Sequence, residues 1–116
     1  MTTKFKIFNI SQVPFEEIHD MPQSRQTLAT KEDLVSDNID ALTKGTLRPG
    51  SIWDWHKHEQ YDELGIVLKG TGKFYWEKEV VEYKPEDVII IPANSNHKFE
   101  ALGQEASEFY FVRIKV

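Results

Sequence analysis

Three of the four histidines in this chain, His56, His58 and His97, combine with Glu63 into a set that can hold one metal ion. Residues two apart in a strand project from the same face. The imidazoles of His56-Lys57-His58 therefore stand side by side, as shared ligation requires. Glu63 lies five residues past His58, a spacing that would send it to the opposite face of an unbroken strand. A turn over 59–62 removes that conflict and starts a new strand at Glu63. His97 follows Pro-Ala-Asn-Ser-Asn at 92–96, a turn that delivers it to the head of another strand. A lone exposed histidine is ordinarily solvated surface, but three that converge with a carboxylate form a mixed nitrogen and oxygen set. Such a set suits one divalent transition metal ion: iron, manganese, nickel, zinc or copper.

Short strands must carry these side chains. Runs rich in Val, Ile, Phe, Tyr and Trp predict strands over 51–58, 64–68, 73–77, 80–83, 88–91, 97–101 and 108–116. Turn residues break them, and the rhythm predicts an antiparallel sandwich or barrel. Helical periodicity is absent from this part of the chain. The N-terminal part offers two helix candidates, 13–18 and 30–34, the second with Thr30 as N-cap and Asp33 three residues on. Residues 4–8 alternate and are expected to form an edge strand. There is no internal repeat, low-complexity tract or linker.

The chain has 116 residues, a length that predicts a single domain. Its hydrophobic share of 40% and charged share of 28% are those of a folded globular protein. A net charge of −5 argues against nucleic-acid and anionic-membrane partners, which call for a basic face. There is no cysteine, so disulfides, zinc-thiolate sites and cysteine nucleophiles are excluded. Residues 1–10 carry no long apolar stretch, so no secretory leader is expected, and 88–91 is too short to span a bilayer. A cytoplasmic location follows as the default expectation.

The residues around the histidines resemble the two motifs of the cupin superfamily. The first motif reads Gly50-SIWDW-His56-Lys57-His58-EQYD-Glu63-LGIVLK-Gly70, with every defining residue present. Asp62 is a second carboxylate at the shorter family spacing, but Glu63 alone keeps the six-residue gap to Gly70. The second motif reads Glu86-DVIII-Pro92-Ala93-Asn94-SN-His97-KFE-Ala101. Glu86 and Asn94 stand where the family has glycine, and Ala101 where it has asparagine. Asn94 tolerates the left-handed conformation such a turn needs. The resemblance covers residues 39–116. It implies an all-β, single-domain, RmlC-like jelly-roll β-barrel over 39–116 with a short N-terminal extension over 1–38. It implies a metal inside the barrel mouth, held by His56, His58, Glu63 and His97, and a homodimer. It leaves the reaction open, because the superfamily holds dioxygenases, isomerases, decarboxylases, lyases and non-enzymatic binders.

Strand parity predicts the pocket lining. Ile52, Asp54, His56 and His58 share one face; Glu63, Gly65 and Val67 another; His97, Phe99 and Ala101 a third. Gly65 would leave room for a substrate beside the metal, with Phe99 in the wall. Asp54 is a candidate catalytic base or a partner that holds a histidine ring, or else a solvated strand-end residue. Over 73–77 either Phe74 and Trp76 face in, the arrangement cupin-like patterns favour, or Tyr75 does and offers a phenol for catalysis. Tyr110 and Arg113 have opposite parity, so at most one faces in; an inward Arg113 would point to a carboxylate or phosphate substrate, but a surface arginine is the favoured reading. Trp53 and Trp55 fall on the face opposite the histidines and are expected to be covered by the N-terminal segment or a second subunit. Two functions stand against each other: a metal-dependent enzyme for a small carboxylate or sugar-type metabolite, and a non-catalytic sensor or binding module.

Overall fold

The computed structural model describes residues 4–116 and contains ten strands. Strands β1 (Glu16–Ile18), β2 (Met21–Thr30) and β3 (Ile39–Leu47) precede residue 51, where the regular run of strands predicted from sequence patterning begins. Strands β4 (Ile52–His56), β5 (Tyr61–Lys69), β6 (Thr71–Trp76) and β7 (Glu79–Tyr83) follow. Strands β8 (Val88–Ile91), β9 (His97–Leu102) and β10 (Ser107–Lys115) complete the fold. Six strands form one sheet in the order β1-β2-β3-β10-β5-β8, and four form the other in the order β4-β9-β6-β7. Every pairing is antiparallel. The chain crosses repeatedly between the sheets, which is jelly-roll topology. The two sheets face each other without a ladder joining them, so the expected barrel is an open two-sheet sandwich.

Inward residues of both sheets meet in an aromatic core. Phe99 packs 4.9 Å from Phe74, 5.2 Å from Phe109 and 5.5 Å from Trp53, ring centre to ring centre, in edge-to-face arrangements. The inward sets Glu63, Gly65, Val67 and His97, Phe99, Ala101 are all buried, as strand alternation requires. On β6, Phe74 is buried and Trp76 packs against the core, leaving Tyr75 on the outer face.

Strand β4 departs from its expected parity. Trp53 pairs with Phe99 and His56 pairs with His97, so two residues on β4, Asp54 and Trp55, oppose one on β9, Lys98. This bulge turns Trp53 and His56 to the same inner side. Trp53 is 3% exposed, whereas Asp54 lies outside and Trp55 remains 42% exposed. The expectation that both tryptophans face away from the histidines therefore fails for Trp53, whose cover is the core of its own chain.

The N-terminal part differs most from expectation. Residues 13–18 form no helix; the segment is extended and ends in β1. Residues 4–8 are irregular, with Phe5 and Ile7 exposed, and join no sheet. Residues 30–34 do hold a helical turn, a 3-10 turn at Lys31–Asp33. Its capping box is formed: Thr30 Oγ1 accepts from the Glu32 N–H and Asp33 Oδ2 accepts from the Thr30 N–H. Strand β2 lacks apolar alternation because its outer face meets backbone: Gln26, 4% exposed, donates from Nε2 to the carbonyls of Ile10 (3.1 Å) and Val13 (3.0 Å).

Candidate metal centre

The end of β4, the segment between β4 and β5, and the start of β9 bring the histidines together. His56 ends β4 directly opposite His97, the first residue of β9. His58 lies just past β4, and its carbonyl accepts from the Asn94 N–H at 2.8 Å. Asn94 takes φ +66, the left-handed conformation expected where the family has glycine. Asp62 accepts from the Ala93 N–H at 2.9 Å, and Ser95 Oγ donates to the Pro92 carbonyl. These bonds shape the 92–96 turn that seats His97, and they give the Asp62 carboxylate a backbone partner.

His56, His58 and His97 present ring nitrogens that lie within 4.8 Å of one another. Their ring centres are 4.2 Å (His56–His97), 5.1 Å (His56–His58) and 5.4 Å (His58–His97) apart. Two tautomers follow from the hydrogen bonds. His56 Nδ1 is 2.7 Å from the Asp54 carbonyl and His97 Nδ1 is 2.9 Å from the Ser95 carbonyl. A carbonyl only accepts, so each Nδ1 carries the proton and each Nε2 keeps its lone pair. His97 Nε2 is buried with no hydrogen-bond partner among the described residues. Burial pushes all three pKa values down, those of His58 and His97 to about 4, so the rings are neutral at physiological pH. Neutral, oriented imidazoles with one orphaned buried nitrogen fit a divalent transition metal. The three histidines could hold one such ion.

Glu63 lies at the edge of this group, with Oε1 3.7 Å from His58 Nε2. Burial pushes its pKa up to about 7, against the opposing pull of Arg113. Arg113 sits beside Glu63 in register on β10 and lines the cavity, so it is the inward member of the Tyr110–Arg113 pair. Its Nη2 is 3.2 Å from Asp40 Oδ2, and its guanidinium lies 5.2 Å from the Tyr61 ring centre.

His56, His58, Glu63 and Arg113 line one cavity of about 280 Å³, floored by Trp53, Phe99 and Phe111, while His97 is fully buried. Gly65 does not provide free space there: a Cβ on it would sit 2.8 Å from Phe111 Cε1, so the ring already fills that room. The Asp54 carboxylate is outside the cavity and accepts from the Trp55 N–H at 2.8 Å; only its carbonyl reaches the site, through His56. Tyr75 is also outside, donating to Glu100 Oε1 at 2.6 Å, with the Lys98 ammonium 4.5 Å from its ring centre. Neither side chain lines the cavity.

Among the lining residues without a sequence signal, two carry titratable side chains: His19 and Arg25. His19 belongs to a two-residue His-Asp turn between Ile18 and Met21, and its ring centre lies 4.3 Å from that of His56. Neither the turn pair nor the polar run of β2 marks a hairpin, so nothing in the sequence tied the fourth histidine to the other three.

The cupin domain model matches residues 44–113, which contain the three clustered histidines and Glu63. An oxalate-binding protein of Thermotoga maritima is 35% identical over 68 residues, 59% of this chain and 56% of that protein. A 5-nitrosalicylic acid 1,2-dioxygenase of Bradyrhizobium sp is 33% identical over 66 residues, 57% of this chain and 31% of that protein. The matches therefore span from under a third to just over half the length of these two relatives. The crystal structure of a predicted oxalate decarboxylase from Thermotoga maritima superposes with a TM-score of 0.85 at 26% identity, covering 96% of this chain and 100% of that one. With the two-motif pattern, the jelly roll and the histidine cluster in place, the chain belongs to the cupin domain family.

Proposed function

We propose that this chain is a metal-dependent enzyme acting on a small carboxylate or sugar-acid metabolite. One divalent ion of the iron, manganese, nickel, zinc or copper kind would be held by His56, His58, His97 and Glu63. The observation that carries this reading is the opening of the His56 and His58 imidazoles and two guanidiniums, Arg25 and Arg113, onto one cavity. A bound ion supplies Lewis acidity at a ligand oxygen. The chain's own residues do the rest. Carbonyls of Asp54 and Ser95 keep the His56 and His97 rings turned so that Nε2 is free to ligate. Asp40 and Tyr61 hold the Arg113 guanidinium, whose fork suits a carboxylate. The aromatic floor excludes water and strengthens these contacts. The names of the two relatives, one for nitrosalicylic acid and one for oxalate, both point to carboxylates.

A second reading, ligand capture without turnover, is favoured by the name of the oxalate-binding relative. Calorimetric titration of the metal-loaded protein with oxalate and salicylate, paired with assay of ligand consumption, separates the two. Saturable binding that Arg113→Ala weakens at least about tenfold is expected. Consumption of the ligand supports the enzyme, and binding without consumption supports capture. Failure of every carboxylate tested to bind would sink both readings.

A further inference from the structure

The three clustered histidines lie inside the segment the cupin model matches. The fourth histidine of the chain does not. His19 belongs to the β1–β2 hairpin, which precedes residue 44, yet it lines the same cavity as His56 and His58. Its ring centre lies 4.3 Å from that of His56. By the same measure His97 is 4.2 Å and His58 5.1 Å from His56. The fourth imidazole is therefore no farther from His56 than the cluster's own members are. It is also near enough that a positive charge on it would lower the pKa of both His58 and His97.

The group of ring nitrogens within 4.8 Å of one another holds neither His19 nor Glu63. Both stand at its edge, Glu63 beside His58 and His19 beside His56. What sets His19 apart is how its ring is held. Carbonyls of Asp54 and Ser95 fix the rings of His56 and His97. No such carbonyl among the described residues fixes the His19 ring, and the residue is exposed where it lines the cavity. The ring can turn about its side-chain bonds, whereas the backbone beneath it is anchored. Ile18 pairs with Met21, so His19 and Asp20 form a two-residue turn with φ +50 and +63. Glu16 of β1 accepts from Arg25 Nη2 of β2 at 3.0 Å and ties the two strands together. A left-handed turn tolerates histidine but favours Asn-Gly, so the turn itself does not call for an imidazole.

We infer that His19 is a further ligand of the metal centre: its imidazole turns in from the hairpin and adds a fourth nitrogen to those of His56, His58 and His97. This rests on the metal reading above and adds a donor from outside both sequence motifs. A fourth imidazole favours ions such as zinc, copper and nickel over manganese, which suits oxygen donors, so zinc is the probe.

Zinc titration of protein labelled with ¹⁵N at histidine, read by nuclear magnetic resonance of the ring nitrogens, tests this. The chain has four histidines, and the His19 signals are those missing from His19→Asn, which keeps a residue suited to the left-handed turn. With one equivalent of Zn²⁺, one ring nitrogen of each of the four histidines is expected to move to the metal-bound range. His19→Asn is expected to bind Zn²⁺ at least about tenfold more weakly than the parent in competition with a chelating dye. A His19 ring that keeps its metal-free shifts while the other three move overturns the inference alone. Unchanged zinc affinity in His19→Asn overturns it as well. If none of the four rings responds, the metal reading fails and the inference falls with it.

Discussion

The two ends of the sandwich use the same strands for opposite purposes. Along β9, His97, Phe99 and Ala101 share one buried face, yet the first meets imidazoles and the others meet aromatic rings. At the aromatic end Phe109, Leu47 and Ala101 are fully buried, and the Tyr83 hydroxyl is shared with Ser107 Oγ at 2.7 Å. Burial there removes apolar surface from water and stabilises the fold. At the histidine end the same burial works against charge: it lowers three imidazole pKa values and raises that of Glu63. One end supplies stability, and the other gathers titratable groups whose pKa values burial shifts, as functional sites do.

The division can be broken from the aromatic end first. Phe109→Ala, at a fully buried position that does not line the cavity, is expected to cost about 3–5 kcal/mol by chemical denaturation. Metal bound per folded chain should stay the same. Loss of metal from a folded Phe109→Ala protein would show that the two ends are not separable.

The tryptophans of β4 give the next contrast. Trp53→Ala removes a ring packed on Phe99, Phe109 and Phe111 and is expected to cost about 3–5 kcal/mol. Trp55, half-exposed against Tyr75 and Lys98, is expected to cost less than about 1 kcal/mol on truncation. Comparable losses in the two unfolding curves would mean that the bulge does not separate them.

The smallest effect is a pH dependence. Burial raises the Tyr83 pKa above its ordinary value of 10. A raised folded-state pKa gives a stabilising contribution that is full below the unfolded value and is lost as pH rises through the folded one. Thermal stability of the parent should therefore fall more steeply above pH 10 than that of Tyr83→Phe. Equal slopes would remove Tyr83 as a contributor.

These contrasts also explain what could be read in the sequence. The strands from residue 51 onward were legible because they are short, β-branched or aromatic and separated by turn residues. The histidine cluster was legible because its spacing relies on local strand and turn geometry. Trp53 was misplaced because parity assumes an uninterrupted strand, and no residue between it and His56 signals the bulge. Strands β2 and β3 escaped notice because their faces bury polar groups, Gln26 against backbone carbonyls and Arg25 and Thr43 at the cavity. Their periodicity is in burial and hydrogen bonding, which hydrophobicity does not report. His19 joins the site only once β1 and β2 fold back on each other.

The central claim is that His56, His58 and His97 converge to hold a divalent metal. Elemental analysis of the purified protein, loaded with a first-row divalent ion and dialysed, tests it most directly when set beside the His56→Ala, His58→Ala double variant. The parent should retain one equivalent per chain. The folded double variant should retain none, since loss of two ligands lowers affinity by well over about 100-fold. Equal retention by the parent and the folded double variant would contradict the account.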